Sequence, residues 1–373
     1  MSAASIPHGH IVLAPLSSIL ITGGAGFIGC RLAERLVGQG HDVMILDSLH
    51  PQVHAVGRPR HLPQAATLLT GDVANEDCWN AVLVLYSPEV VVHLAAETGT
   101  GQSLTEATRH GLVNVVGTTQ MLDAFRRCEW LPSHLVLTSS RAVYGEGRWL
   151  AEDGTVFYPA GRSHEQLAEA RWDPVSVPGA AARPLPSEAG TTDPRPTSIY
   201  AATKLAQEHM CSAWAAATGM RLSTLRLQNV YGPGQSLTNP SSGVVTLFAR
   251  LALEGRALEV YEDGSIVRDF VHVDDAVDAL LAAIGSPPVS SRVLDIGSGT
   301  PTTIADVAAC IADLAGAPAP VISGRFRDGD VRAASCIIEE AGKELSYSPS
   351  RTLEEGIREL LAWVSESSLS HPT

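Results

Sequence analysis

Tyr200 and Lys204 stand four residues apart, the spacing that places two side chains on one face of a helix. A free phenol titrates near pH 10, too high for a base at neutral pH, and a neighbouring ammonium favours the phenolate. A downward shift of about three units takes roughly 4 kcal/mol of differential stabilisation, the order that two close cations supply in a partly dry site. The pair therefore suits removal of a proton from a hydroxyl. A core-facing tyrosine followed by a solvent lysine has the same spacing, so the pair alone decides nothing. Ser140 adds weight. It ends a β-type run, Leu135 to Thr138 followed by Ser139-Ser140, expected beside that helix, where its hydroxyl could share a substrate proton with Tyr200.

Such groups need a frame and a second reactant, and both are written near the start of the chain. The apolar run Ile19-Leu20-Ile21-Thr22 meets Gly23-Gly24-Ala25-Gly26-Phe27-Ile28-Gly29, and Leu32, Leu36 and Val37 then alternate with Arg31, Glu34 and Arg35. That is strand, tight turn and amphipathic helix. Gly24, Gly26 and Gly29 fit G-x-G-x-x-G, and Gly23, Gly26 and Gly29 fit G-x-x-G-x-x-G. Glycine permits the turn and lets backbone N–H groups approach a pyrophosphate, which the helix N-terminus also attracts. A second strand, Asp42 to Leu46, ends in Asp47, roughly 20 residues on, where a carboxylate takes ribose hydroxyls and repels a 2′-phosphate. The expected cofactor is NAD, whose oxidised ring would supply the second cation near Tyr200.

The 373-residue chain is 45% hydrophobic and 18% charged, enough for a substantial core. Its net charge of −14, with no dense Lys/Arg run, argues against nucleic-acid or membrane-surface binding. The six cysteines, Cys30, Cys78, Cys128, Cys211, Cys310 and Cys336, are scattered without a C-x-x-C pair, so free thiols and a cytoplasmic setting are expected. Residues 1–17 read as a loose tail, not a signal peptide, and no apolar run reaches the roughly 18 residues of a spanning helix.

Along the chain, strand and helix alternate, the pattern of a doubly wound parallel sheet. His50, His54 and His61 lie in a polar loop with no acidic partner nearby in sequence, so no metal is expected there. Thr67 to Thr70 is a third strand leading to Asp72 and Val73, where the carboxylate takes an adenine amine or caps the next helix. Glu89 to Ala96 is a continuous apolar strand with a core histidine, His93; its small Ala95 and Ala96 let a cofactor pass. Ligands in such sheets sit beyond the carboxyl ends of the strands, which places the Glu97 to Ser103 loop at the substrate. A helix is expected over Val113 to Arg126, carrying Asn114, and another from Thr197 to Gly219. Between Glu146 and Pro196 prolines and glycines break the rhythm; a capping box at Ser163 and Gln166 suggests one short helix. This insert is expected at the mouth of the site, as a lid or a dimer contact. Leu222 to Leu227 is a strand and Gln228 to Gly234 a turn. Helices are expected over Val244–Leu253, Asp274–Ile284 and Thr303–Ala315, with Glu259–Tyr261 extended and Val293–Ile296 a strand. The domain reading is a Rossmann-type NAD-binding unit at 18–230 and a smaller substrate-binding α/β region at 231–364, with 268–296 returning to the first; 365–373 reads as a frayed tail.

The chain resembles the extended short-chain dehydrogenase/reductases, in their nucleotide-sugar epimerase/dehydratase branch. The resemblance runs from Leu20 to about Trp363. It rests on Thr22 to Gly29, Gly71-Asp72-Val73, His93-Leu94-Ala95-Ala96, Thr138-Ser139-Ser140 with Val143-Tyr144-Gly145, Tyr200 with Lys204, Asn229 to Pro233, Arg268 to Asp274, and Arg327-Asp328-Gly329-Asp330. It implies Ser140, Tyr200 and Lys204 as the catalytic trio. On this reading NAD is held by Gly23, Gly26, Phe27, Ile28, Gly29, Asp47, Ser48, Asp72, Val73, Leu94, Ala95, Ala96, Thr98, Asn114, Tyr200, Lys204 and Gln228. A nucleoside-diphosphate sugar, dTDP- or UDP-linked, falls to Thr100, Ser140, Arg141, Tyr200, Asn229, Arg268, Arg327 and Asp330, the last on the nucleotide ribose. Arginines suit the diphosphate of an anionic ligand in an acidic protein.

The 4,6-dehydratases of this branch carry Asp-Glu after the hydroxyl residue; here Arg141-Ala142 follows, so elimination lacks its acid and base. No Cys and His pair of the kind used for C3/C5 inversion is evident. The trio and NAD suffice for 4-epimerisation through a transient 4-keto sugar, with a dTDP-L-rhamnose-like substrate expected. Relatives of that type carry cysteine pairs in the insert, whereas Glu146 to Pro196 holds none, so no metal is expected. Alternatives are 4-epimerisation of UDP-glucuronate, with Arg141 on the carboxylate, or of UDP-glucose/galactose; a 4-keto-sugar reductase; and a non-catalytic NAD-binding sensor. The helices Val113–Arg126 and Tyr200–Ala217 carry outward apolar faces at Leu122, Phe125, Met210 and Trp214, and the corresponding helices of the branch this chain resembles form a dimeric four-helix bundle, so the resemblance implies a homodimer.

Overall fold

The computed structural model describes residues 17–54, 59, 61–175, 182–237 and 243–369. Nearly all of the expected N-terminal tail, residues 176–181 of the insert and 370–373 lie outside these. Among the described residues no helix is long and apolar enough to cross a membrane.

Seven parallel strands form the main sheet. In spatial order they are Ser291–Ile296, Arg221–Leu227, His134–Ser140, Val90–His93, Ser18–Thr22, Asp42–Asp47 and Thr67–Thr70. The order reverses at Ser18–Thr22, which pairs with Asp42–Asp47 on one side and Val90–His93 on the other. This is the Rossmann-type arrangement, and the reversal opens a crevice at the carboxyl ends of those strands. Alternation of side chains divides the core into two layers. Ile19 and Ile21 face helices Phe27–Gly38 and Val273–Gly285 through Leu32, Leu36, Val277 and Leu280. Leu20 and Val91 face helices Glu76–Leu85, Gly117–Arg127 and Ile199–Thr218 through Trp79, Met121, Phe125 and Cys211. All six cysteines are free.

A second sheet carries Val267–His272 between Asn229–Tyr231, parallel, and Pro301–Thr303, antiparallel; Ala333–Ala334 also pairs with it. Helices Val244–Leu253, Ile304–Ala315 and Leu353–Leu369 pack beside it in a third core with Phe248, Ile311 and Leu360.

Several expectations need correction. The helix placed at Val113 begins at Ala107 and runs to Arg127, with a π-helical stretch at Gly111–Val116. The expected turn at 228–234 contains a strand, Asn229–Tyr231. The expected frayed tail is helical as far as Leu369, because Ile357, Leu360, Leu361 and Val364 form a buried stripe that holds the helix to the third core. Leu122 and Phe125 do not face outward: they are buried, and Phe125 packs 6.3 Å from Trp79 and 5.9 Å from Trp214 between ring centroids. In the insert, Ser163 Oγ accepts Gln166 N at 3.2 Å, capping helix His164–Ala168. The reciprocal half of the capping box is absent, since the Gln166 amide donates instead to Arg171 O and Asp173 O.

Candidate active site

Ser198 caps the long helix by accepting Ala201 N at 3.1 Å, which puts Tyr200 in the first turn and Lys204 one turn on. Ser140 closes its strand and accepts Ala142 N at 3.2 Å, starting the short 3₁₀ turn Arg141–Tyr144. All three line one cavity of about 1710 Å³. Burial raises the Tyr200 phenol, opposed by the Ser140 hydroxyl and the Arg141 charge. The sequence expectation sets the Lys204 ammonium and an oxidised nicotinamide beside the phenol; Arg141 is a further cation acting on it that was not foreseen, and burial outweighs its effect. Burial pushes the Lys204 ammonium down to about 8, against the opposing charge of Glu208.

The glycine turn closes against the neighbouring strand end. Gly23 has φ +67°, and a Cβ there would lie 2.7 Å from Ala95 N; one at Gly29 would lie 2.7 Å from Gly23 O. No side chain caps the helix start at Gly26, so its N–H groups stay available to an anion. Gly23, Gly26, Phe27, Ile28, Gly29, Asp47, Ser48, Asp72, Val73, Leu94, Ala95, Ala96, Thr98 and Gln228 all line the cavity. Asp47 also accepts Ala25 N at 3.0 Å and Leu49 N at 2.8 Å, so it fixes the turn as well as facing the crevice. His54 does have an acidic neighbour, Asp47 Oδ1 at 3.7 Å, only seven residues earlier in the chain. Asp72 accepts Ala74 N at 2.8 Å, and the helix cap is Asn75. The Gln228 amide is buried without a nitrogen or oxygen partner among the described residues, a donor and acceptor left in the cavity wall. These features fit a dinucleotide. Asn114 is the exception: it lies wholly buried behind the wall, bonding Glu97 N, Glu97 O and Thr203 Oγ1, and so braces the loop.

Toward the second sheet, Thr100, Arg141 and Asn229 line the cavity, and Arg141 Nε donates to Asn229 Oδ1 at 2.8 Å. Burial, then the Arg268 charge, push Arg141 down to about 9. A smaller void of about 20 Å³ shares Thr100, Arg141 and Ala142 with the main cavity and reaches Gly329 and Asp330. Arg268 is buried and donates to Asp330 Oδ1 at 3.0 Å and Val331 O at 2.8 Å, outside the main cavity wall. Arg327 lies over the Tyr261 ring at 5.1 Å, also outside it.

Sequence reading missed a buried network behind the trio. Glu208, one turn beyond Lys204, pairs with Arg226 at 2.6 Å and accepts a short hydrogen bond from Ser139 Oγ. Arg226 donates to Tyr144 Oη at 2.9 Å, and Tyr144 donates to Asp295 Oδ2 at 2.8 Å. The i, i+4 relation of Lys204 and Glu208 was its only local signal. Also unforeseen is the group His272, Asp274 and Glu359, with ligand-type atoms within 4.8 Å. His272 Nδ1 accepts Asp274 N, so its proton sits on Nε2, 3.5 Å from Glu359 Oε2. Arg31 and Arg351 pair with the two carboxylates, which makes this an ion-pair cluster.

A dTDP-L-rhamnose 4-epimerase of Burkholderia thailandensis is 52% identical over 93% of this chain and 95% of its own length. Among solved structures, the UDP-glucose 4-epimerase of Thermotoga maritima with UDP-glucose aligns at TM-score 0.76 and 27% identity, covering 94% of this chain and 99% of that one. The Thermus thermophilus UDP-glucose 4-epimerase complex with NAD aligns at TM-score 0.74 and 27% identity, covering 93% and 99%. Residues 19–164 and 175–297 match the NAD dependent epimerase/dehydratase family, and with the glycine turn, the acid at the second strand's end and the Ser140–Tyr200–Lys204 group in one crevice, the chain belongs to that family.

Proposed function

We propose that this protein is an NAD-dependent nucleotide-sugar 4-epimerase acting on dTDP-L-rhamnose or a close relative. The observation that carries the reading is the placement of Tyr200, Ser140 and Lys204 in the one cavity wall that the glycine turn and Arg141 share. The 52% identical relative supports the substrate class. The chemistry supplied by bound NAD is reversible hydride exchange with C4 of the sugar. Tyr200 takes the O4 proton and later returns it, while Ser140 holds O4 by its hydroxyl and Lys204 contributes a buried positive charge. The wide cavity leaves room for the 4-keto sugar to present its other face. Net redox change is zero, so the cofactor can stay bound.

Gly23, Gly26, Phe27, Ile28, Gly29, Asp47 and Gln228 would hold the dinucleotide. Thr100, Arg141 and Asn229 would meet the sugar diphosphate, with Arg268 and Asp330 behind them. The second reading, UDP-glucuronate 4-epimerisation, is favoured by one observation: Arg141 lies in the cavity wall close enough to act on Tyr200, where a sugar carboxylate could reach it. A homodimer is also proposed. Its contact would use the exposed Leu104, Leu112 and Val116 in place of the buried Leu122 and Phe125. Six free cysteines suit a cytoplasmic setting.

The test is incubation of purified protein, without added cofactor, with dTDP- and UDP-sugars, read by NMR at C4. Inversion of dTDP-L-rhamnose with retention of a C4 deuterium is expected. No inversion of any sugar, or deuterium washing into solvent, overturns the proposal.

A further inference from the structure

The insert does not simply lie across the mouth of the cavity. Its described residues clamp the 326–332 segment from behind. Arg162, with a side chain 1% exposed, donates through Nη2 to Asp330 O at 2.8 Å and through Nη1 to Glu262 Oε2 at 2.8 Å and Trp172 O at 3.0 Å. Glu146, 3% exposed in its side chain, accepts Arg332 N at 2.9 Å and lies 3.6 Å from Arg162. Arg332 in turn binds Glu262, Asp263 and, within the insert, Asp173 at 2.7 Å. At the exposed edge, His164 meets Asp328 at 3.0 Å and packs its ring 5.3 Å from Phe326, with Trp172 at 6.3 Å.

The opposite side of this segment faces the site. Asp330 Oδ1 and Val331 O receive Arg268, and Gly329 and Asp330 line the small void that Arg141 also lines. Buried, multiply bonded charges fix geometry well, because any displacement strands one of them in a dry interior. The insert therefore determines where the Asp330 backbone sits relative to Arg268 and Arg141.

We propose that Arg162 and Glu146 are positioning residues for the nucleotide end of the substrate: by bracing residues 326–332 against Arg268 they set affinity for the nucleoside diphosphate and leave the hydride and proton steps at Tyr200 untouched. This rests on the nucleotide-sugar reading above. It assigns the insert a specificity role that neither a lid nor a dimer contact would have.

The experiment compares wild-type protein with Arg162→Lys, Glu146→Gln and His164→Ala, using dTDP and UDP as calorimetric ligands and dTDP-L-rhamnose for kinetics. Lysine keeps the charge but cannot span Asp330 O and Glu262 together. Loss of one charge-assisted hydrogen bond should weaken dTDP binding and raise KM about tenfold, with kcat within about twofold. Cofactor released on denaturation should be unchanged. Glu146→Gln still offers an oxygen to Arg332 N but loses the charge facing Arg162, so it should weaken dTDP binding less than Arg162→Lys does; wild-type affinity in this variant removes Glu146 from the brace. His164→Ala, at an exposed position, should fold normally and weaken dTDP binding about twofold to threefold, so the proposal stays open to refutation even if Arg162→Lys fails to fold. Wild-type dTDP affinity in folded Arg162→Lys, or in His164→Ala where Arg162→Lys does not fold, or a fall in kcat at constant KM, overturns the brace alone. Failure of the wild-type protein to bind either nucleotide overturns the nucleotide-sugar reading and the brace with it.

Discussion

At the scale of single residues, the phenol is held up and a lysine is held down. On the proposed mechanism Tyr200→Phe removes the phenol that takes the O4 proton, so kcat should fall about 10²–10⁴-fold with cofactor content unchanged, measured by steady-state kinetics and by cofactor released on denaturation. Two groups oppose each other in the pH dependence. Ionising the Tyr200 phenol raises kcat with pH, whereas the charged form of Lys204 prevails below about pH 8 and is lost above it, so an alkaline limb should set in as pH rises through that value. Lys204→Arg keeps the charge and should move the alkaline limb upward, even where it lowers the plateau; a limb that stays near 8 would assign it to another group. The spacing of Tyr200 and Lys204 was legible in the sequence because both lie on one helix, and Ser140 because it ends a recognisable strand. The effect of Arg141 on the phenol was not. It depends on how the 3₁₀ turn after Ser140 packs against a helix sixty residues later, and no local pattern encodes that approach.

At the scale of elements, the site is two strand ends, one turn and one helix, locked together from behind. The Glu208–Arg226 pair ties the Tyr200 helix to the Arg221–Leu227 strand, and the Ser139 hydroxyl ties the same carboxylate to the Ser140 strand. Glu208→Ala would leave Arg226 buried and unpaired, which typically costs about 3–5 kcal/mol. Chemical denaturation should show that loss. The turn makes a separate prediction: a Cβ at Gly29 would lie 2.7 Å from Gly23 O, so Gly29→Ala should open the turn and strip bound dinucleotide, read as the absorbance ratio of the purified protein. Strand–turn–helix punctuation was legible because glycine and the apolar period mark it locally. Val267–His272 was missed as a strand because Arg268, Asp269 and His272 make it look polar, and only pairing with three other strands and internal charge partners lets it be buried. The helix ending at Leu369 did carry a legible i, i+3, i+4, i+7 stripe, but the polar residues around Ser365 read as a tail.

At the scale of the whole molecule, buried histidines tie stability to pH. His93 is fully buried among Thr22, Thr118 and Gln207, and burial, aided by the Lys204 charge, pushes it down to about 3. His134, bonded to Ser223, is likewise pushed down to about 3 by burial and by Arg292 and Arg221. Unfolded histidine titrates near 6.5, so below that pH the unfolded chain binds protons that the folded chain refuses. The stability these two neutral rings contribute is complete above about 6.5 and drains as pH falls toward 3, by about 1.4 kcal/mol per pH unit for each. Asp295 acts in the opposite sense. Burial raises it to about 6, so the folded carboxyl takes its proton before the unfolded one and regains stability between about pH 6 and 4. A difference measurement isolates the histidine. His134→Asn cannot titrate, and every other group cancels between variant and wild type. Whatever Asn costs at pH 7.5, where both side chains are neutral, that cost should shrink by about 2 kcal/mol by pH 5 in urea unfolding at matched temperature. A gap that stays constant over this range would mean that His134 takes up a proton inside the folded protein.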